Sequence, residues 1–200
     1  MMWKQVRRAL YGTAAIIAFL GFLQLCSVNG AGSDAEIATL KDAKNTLDMS
    51  IKYGMPPVLV KAIRNTSKVF WMQARRAAPS LRNSDDLAQL MIQIVLVESS
   101  GNPLAINLDG EAYGLTQLQL PTARQYIPEV TILELLEPDT NIWIAMQHMV
   151  YLLQVFHGDI YMAVLAWNVG PTGAKRIEKS GAKIPRVRYV QKVMRANRRG

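Results

Sequence analysis

The feature that most constrains the fold is an apolar run, residues 90–97, that ends in a glutamate, Glu98. A run this apolar predicts a helix buried on most of its surface. The Gly-Asn-Pro sequence of residues 101–103 ends that helix, because proline cannot continue it and glycine supplies unusual backbone angles. A carboxyl group at such a helix end is partly desolvated, which raises its pKa. A glutamate protonated near neutral pH can give a proton to a leaving oxygen, the general-acid role in glycosidic cleavage.

Three later segments extend this pattern. Residues 112–123 read Ala-Tyr-Gly-Leu-Thr-Gln-Leu-Gln-Leu-Pro-Thr-Ala, residues 166–171 read Ala-Trp-Asn-Val-Gly-Pro, and residues 184–190 read Ile-Pro-Arg-Val-Arg-Tyr-Val. Together with Glu98-Ser99, they resemble the four ordered motifs of the soluble lytic transglycosylase family. The resemblance covers about residues 85 to 195, and four motifs in order are far more specific than any one alone.

The resemblance implies a mainly α, goose-lysozyme-like helical domain that cleaves the β-1,4 bond between N-acetylmuramic acid and N-acetylglucosamine in peptidoglycan. Cleavage in this family is non-hydrolytic and leaves 1,6-anhydromuramic ends. Glu98 would act as acid and then as base, and the Tyr189 hydroxyl would hydrogen-bond its carboxyl group. The residues implied to bind substrate are Ser99, Asn107, Tyr113, Thr116, Gln117, Trp167, Asn168 and Tyr189.

Three positions depart from the family pattern and keep other functions open. Thr116 replaces a methionine that lies against substrate, Asn107 replaces a serine, and Glu111 stands where glycine is common. Asp109 or Glu111 could hold a water, so one alternative is a hydrolytic muramidase with Glu98 as its acid. Another is a non-catalytic glycan-binding component of an envelope or virion.

The N-terminus predicts export. Residues 9–28 carry no charge and follow Lys4, Arg7 and Arg8, an arrangement that places the N-terminus in the cytoplasm. Twenty such residues can span a bilayer, although a shorter part would suit a cleaved signal peptide. We therefore expect residues 1–30 to be a signal peptide or a membrane anchor and the domain to lie in the periplasm or cell envelope. Because the only cysteine, Cys26, lies inside this segment, we expect the exported domain to contain no disulfide.

The rest of the chain predicts helices almost throughout. We expect residues 31–80 to form helices that pack on the catalytic domain, and residues 81–197 to form the lysozyme-like domain. Within them, the predicted helices cover residues 34–53, 57–77 and 84–98, begin at Gly114, and then cover residues 139–156, 159–167 and 185–197, with a loop or short hairpin over residues 101–113.

Charge and histidine content define the expected partners. Residues 172–200 hold ten basic residues and one acidic residue, whereas residues 31–171 hold fourteen acidic and ten basic residues. The basic tail matches no nucleic-acid-binding module, so no nucleic acid is expected. His148 and His157 have no accompanying acid cluster, and we predict neither a metal nor a cofactor. The sequence leaves open whether the chain serves wall turnover, a secretion apparatus or a phage.

Overall fold

The structure is a computed structural model in which residues 34–195 are described. The chain divides into two compact units, with the boundary between Pro57 and Val58. The predicted division of the chain at residues 30 and 80, with the first helices packing on the catalytic domain, stays a prediction. The charge-free segment, residues 9–28, lies outside the described residues.

The described part of the first unit is a single helix and the turn after it. Helix α1, Asp34–Tyr53, carries Asp34 and Glu36 in its first turn, where negative charge complements the helix dipole. The helix ends at Gly54, and the Ser50 hydroxyl then donates a hydrogen bond of 2.6 Å to the carbonyl oxygen of Met55.

The second unit is mainly helical and contains one small sheet. Its elements are α2 Pro57–Ala77, α3 Ser84–Glu98, β1 Ile106–Asn107, β2 Ala112–Tyr113, β3 Leu118–Gln119, α4 Leu120–Ala123, α5 Ile132–Leu135, α6 Pro138–Val155, α7 Ile160–Lys179, a 3₁₀ turn Ile184–Arg186 and α8 Arg188–Arg195. The predicted mainly α class is confirmed. The hairpin expected in residues 101–113 is present as β1 and β2, which pair antiparallel, and β3 continues the sheet beside β2.

The start of α3 agrees with the prediction, whereas the helix expected to begin at Gly114 does not. Asn83 caps α3, because its side-chain oxygen accepts a hydrogen bond of 3.0 Å from the Asp86 N–H. No helix begins at Gly114, because Gly114 and Gln117 both adopt positive φ angles, of 76° and 52°, which a right-handed helix excludes. The chain there forms a loop and β3 before α4 begins.

The bounds of the last two helices, α7 and α8, also differ from the prediction. Helix α7 continues past Trp167 to Lys179, and it is broken at Gly170, whose φ of 72° and ψ of 160° are not helical. Pro171 follows the break, where a proline can start a new helical segment without losing a hydrogen bond. The final helix is preceded by the 3₁₀ turn and by extended Val187, so α8 begins three residues later than predicted.

The core of the second unit lies around α3 and α6. Ile92 and Ile94 of α3 and Ile144 and Leu152 of α6 are fully buried. Helix α3 packs against α8, and α6 packs against α7, which also contacts α8. The hydrogen bond between Tyr189 and Glu98 places the end of α3 beside the start of α8. Asn168, just before the break in α7, lines the same cavity as Tyr189.

No single helix among residues 34–195 has both the length and the apolar character needed to cross a membrane. Helices α6 and α7 meet those criteria only as a pair, and the two are bent by 120° relative to each other.

Asn141 in α6 ties the loop after β2 to the helices. Its side-chain oxygen accepts hydrogen bonds from the Thr116 N–H, at 3.0 Å, and the Thr116 hydroxyl, at 2.6 Å. Its amide donates to the carbonyl oxygens of Tyr113, at 3.0 Å, and Leu135, at 2.8 Å. Asn141 is completely buried, so all four bonds form away from water.

The same contacts explain why residue 114 is a glycine. A Cβ atom built on Gly114 would overlap the Leu135 carbonyl oxygen and the Asn141 amide nitrogen, and its positive φ would strain any other residue. The loop can therefore approach α6 closely enough for the Asn141 bonds only without a side chain at this position.

We expect Asn141→Ala to lower the free energy of unfolding by about 2–4 kcal/mol, because it leaves buried backbone groups and the Thr116 hydroxyl without partners. Urea denaturation followed by circular dichroism measures this loss. Gln154→Ala, an exposed change on the same helix, is the control and should change stability by less than about 0.5 kcal/mol. Equal losses for the two variants would contradict a special role for Asn141.

Candidate active site around Glu98

Glu98 is the last residue of α3, and the helix ends cleanly after it. The Ser99 N–H donates the final helical hydrogen bond, of 3.0 Å, to the Val95 carbonyl oxygen. The preceding turns are buried in the core, whereas Glu98 itself is half-buried. Burial raises the pKa of Glu98 above its ordinary value, and a hydrogen bond from Tyr189 partly opposes this rise. The predicted desolvated carboxyl group is therefore present.

Tyr189 reaches Glu98 from α8, 91 residues further along the chain. Its hydroxyl donates a hydrogen bond to Oε1 of Glu98. Burial, then the neighbouring Glu98 charge and this bond, raise the pKa of Tyr189 far above its ordinary value. The phenol therefore stays protonated and acts as a donor to the carboxyl group over the whole physiological pH range.

Ser99 connects the end of α3 to the loop after β2. Its hydroxyl donates a hydrogen bond of 2.7 Å to the Leu115 carbonyl oxygen and accepts one of 3.2 Å from the Gly101 N–H. The Val95 carbonyl oxygen is a second, more distant acceptor of this hydroxyl, at 3.2 Å, so the shorter bond to Leu115 is the one that holds the loop against the residue next to Glu98. A contact of Ser99 with substrate stays a prediction.

Gln117 lies in the same loop with its amide group fixed. Its Nε2 donates hydrogen bonds to the carbonyl oxygens of Ala105, at 3.1 Å, and Gly114, at 3.0 Å. Both amide protons are thereby used, and within residues 34–195 the side-chain oxygen accepts no hydrogen bond. Gln117 can therefore offer an acceptor to an N–H or hydroxyl group of a sugar.

The side chain of Thr116, the preceding residue in this loop, points into the interior toward Asn141. It is completely buried, and both its N–H and its hydroxyl bind Asn141. Its predicted contact with substrate is not supported by this geometry, because the side chain has no exposed surface. A sequence pattern places Thr116 in the motif but does not reveal that Asn141, 25 residues later, takes up its hydroxyl.

The hairpin carries Asn107 and Tyr113. Asn107 is exposed, and its side-chain oxygen accepts a hydrogen bond of 3.2 Å from the Gly110 N–H, whereas Tyr113 is half-buried. Asp109 and Glu111, the carboxyl groups considered for hydrolysis, are both exposed at the turn between β1 and β2.

Trp167 and Asn168 lie just before the break in α7. Asn168 lines a cavity of about 460 Å³ together with Val187, Arg188, Tyr189 and Lys192. The structure therefore brings Asn168 to the same cavity as Tyr189, as the two later motifs predict. Trp167 is half-buried and faces an aromatic cluster.

That cluster was not predicted from the sequence. The His148 ring lies 5.3 Å from the Trp167 ring and is stacked on Tyr151 at 6.0 Å, measured between ring centroids. The Tyr126 hydroxyl lies 2.9 Å from Nδ1 of His148. Burial lowers the pKa of His148 to about 4 and is the main cause that raises the pKa of Tyr126 to about 12. A neutral ring with its proton on Nε2 accepts at Nδ1 from Tyr126.

Sequence signals for this cluster are weak. His148 and Tyr151 are three residues apart, which places them on one side of α6. Tyr126 and Trp167 come from other elements, and no spacing rule joins them. Among residues 34–195, no group of three or more His, Cys, Asp or Glu residues is placed to hold a metal ion; the absence of a metal from the whole chain stays a prediction.

Comparison with known proteins gives one family. The model of the transglycosylase SLT domain matches residues 79–186, a range that contains Glu98, the loop with Gln117, and Trp167 with Asn168. No curated protein matches the chain significantly.

The Tyr189 hydrogen bond stabilises the charged carboxylate of Glu98 and thereby lowers its pKa. We therefore expect Tyr189→Phe, which removes this bond, to raise the pKa of Glu98 further. A carbon-13 NMR titration of the glutamate side chains measures the change, with Glu98→Gln used to assign the signal. Tyr161→Phe, an exposed change on α7, should leave the Glu98 titration where it is. A fall in the Glu98 pKa in Tyr189→Phe would contradict the bond.

We expect His148 to make the fold sensitive to acid. Its pKa is about 4 in the folded protein, below the 6.5 of a free histidine, so between these values the unfolded chain takes up a proton that the folded chain does not. Stability should fall by roughly 2–3 kcal/mol as pH drops from 6.5 to 4 and this loss should then level off.

Urea denaturation between pH 4 and 7 tests this expectation. His148→Asn should flatten the pH dependence, whatever its effect on stability at pH 7. The same slope in His148→Asn and the parent protein would show that His148 is protonated in the folded state.

Proposed function

The chain belongs to the transglycosylase SLT domain family, and we propose that it cleaves peptidoglycan as a lytic transglycosylase. The bond cut is the β-1,4 link from N-acetylmuramic acid to N-acetylglucosamine, and the product carries a 1,6-anhydromuramic end. The observation that carries this proposal is the half-buried Glu98 carboxyl group with the Tyr189 hydroxyl bound to it.

In the first step, Glu98 acts as the acid. Its proton passes to the bridging oxygen as the bond from that oxygen to C1 of the muramic acid breaks, and N-acetylglucosamine leaves with its hydroxyl restored. The ring then carries positive charge at C1. The N-acetyl group of the same sugar supports this charge, so a second protein carboxylate is not required. The raised pKa of Glu98 keeps more of the acid form available near neutral pH.

In the second step, Glu98 acts as the base. The carboxylate takes the proton from the C6 hydroxyl of the muramic acid, and that oxygen forms a bond to C1. Glu98 is thereby returned to its acid form, and no water is consumed. The bond from Tyr189 supports this exchange of roles, because it holds one carboxyl oxygen in place and stabilises the carboxylate that exists between the two steps.

Substrate contacts follow from the exposed groups around this pair. We infer that the Gln117 side-chain oxygen and the Asn168 amide bind sugar hydroxyl or N-acetyl groups, and that the exposed face of Trp167 packs on a sugar ring. Asn107, Tyr113 and Ser99 complete the proposed contacts. Thr116 is assigned to holding the loop rather than to touching the glycan.

The family match and the helical architecture support a goose-lysozyme-like fold for the catalytic domain. We further propose that residues 1–30 carry the domain into the periplasm or cell envelope. Fractionation of cells tests this, since an exported chain appears with the periplasmic or membrane fraction, and a purely cytoplasmic chain contradicts export.

We expect Glu98→Gln to lower the rate of glycan release from purified sacculi by more than 100-fold, because glutamine keeps the shape but cannot transfer a proton. The fold should persist. Since burial raises the Glu98 pKa, the charged form is costly in the folded state, and thermal unfolding of Glu98→Gln at pH 7 should come at an equal or higher temperature.

The matched control is Asp109→Asn with Glu111→Gln, which removes two exposed carboxyl groups near the site. It should retain activity within about tenfold, since no water needs a base. Mass spectrometry of products made in heavy-oxygen water gives a second readout. Anhydro ends without heavy oxygen support the proposal, whereas reducing ends that contain it, with an inactive double variant, identify a hydrolytic muramidase. No release by the parent protein identifies a glycan binder.

A further inference from the structure

Two cations share a cavity with Tyr189. Arg188 and Lys192 lie on α8, four residues apart and therefore on the same side of the helix. Both line the cavity that Asn168, Val187 and Tyr189 complete. Because the Tyr189 hydroxyl binds Glu98, the cavity is joined to the proposed catalytic pair by one side chain.

Within the described part of the chain, neither cation is paired with another group of the protein. Both side chains are exposed, and no salt bridge or side-chain hydrogen bond is recorded for either within residues 34–195. Burial raises the pKa of Glu98 and the Tyr189 hydrogen bond lowers it, and no cation contributes to either effect. Arg188 and Lys192 are therefore not counterions of the catalytic carboxyl group.

The charges that line this cavity differ from those that line a second cavity of the protein. Lys175 and Lys179 line a separate cavity that also contains Glu178 and Asp159, so positive and negative groups occur together there. The cavity beside Tyr189 has two cations and no acidic residue in its lining. It is suited to an anionic group of a ligand.

The chemistry of the proposed substrate supplies such a group. The N-acetylated sugars of the glycan strand are uncharged, and the carboxyl group of muramic acid is joined by an amide bond to a short peptide. That peptide stem carries free carboxylates. Bare glycan offers no anionic group to a cationic cavity beside the cleavage site, whereas the peptide stem offers carboxylates. Arginine is especially suited to bind a carboxylate because it can donate two parallel hydrogen bonds.

We propose that Arg188 and Lys192 bind carboxylates of the peptide stem on muramic acid and make the protein prefer stem-bearing strands over bare glycan. This inference rests on the proposed function. Both cations are exposed, so the preference should be modest and should weaken with added salt.

The test compares two substrates. One is teichoic-acid-free glycan with intact stems, and the other is the same material after an amidase has removed the stems. The variant is Arg188→Gln with Lys192→Gln. The matched control is Arg176→Gln with Lys183→Gln, which removes the same two charges from exposed positions outside this cavity. The readout is the ratio of kcat/KM for the two substrates, so a general loss of activity cancels.

We expect the parent protein and the control to prefer stem-bearing strands by about tenfold at low salt, and the Arg188/Lys192 variant to lose most of that preference. The preference of the parent should also fall in roughly 0.5 M salt, because the dissolved ions screen the attraction between the two cations and the stem carboxylates. Equal ratios in the parent and the variant, or an equal loss in the control, would overturn the inference.

A binding measurement separates this inference from the proposed reaction. Glu98→Gln protein, with and without the Arg188/Lys192 changes, is titrated with soluble stem-bearing and stem-free fragments. Weaker binding of only the stem-bearing fragment by the charge variant supports the inference even if the parent protein cleaves nothing. If both proteins bind both fragments equally, the inference fails even where cleavage is normal.

Discussion

The four hydrogen bonds of Asn141 are the constraint on which the geometry of the site depends. They fix the loop that contains Thr116 and Gln117 against α6, and the loop in turn accepts the Ser99 hydroxyl through the Leu115 carbonyl oxygen. Without them, the residue that follows Glu98 would lose its anchor. The buried amide thus acts on the acid through a chain of backbone contacts, although it touches neither Glu98 nor any surface that a glycan can reach.

Glu98 is held between two opposing demands. Its helix must be buried to be stable, and that burial disfavours the charged carboxylate that the second half of the proposed reaction needs. The Tyr189 hydroxyl offsets part of this penalty by donating to Oε1. The charge is therefore tolerated but not neutralised by a permanent counterion, which would fix the carboxyl group in its ionised form and remove its capacity to act as an acid.

The sequence predicts the long buried elements well and the loops poorly. The bounds of α2 agree with the prediction, and α6, Pro138–Val155, lies one residue earlier than the predicted 139–156, because these helices bury a continuous side. The pairing of Tyr189 with Glu98 was predicted from a family resemblance, since no local rule connects residues 91 apart. The positive φ of Gln117, the burial of Thr116 and the ring cluster at His148 depend on contacts between distant segments, which residue order does not reveal.

The separation between Glu98 and Tyr189 has a consequence for synthesis. The ribosome completes α3 long before it reaches α8, so the nascent chain carries a glutamate whose hydrogen-bond partner has not yet been made. During that interval, the end of α3 lacks the cover that α8 provides. Assembly of the catalytic pair therefore waits for Tyr189, which is translated after the buried residues of α3 and α6.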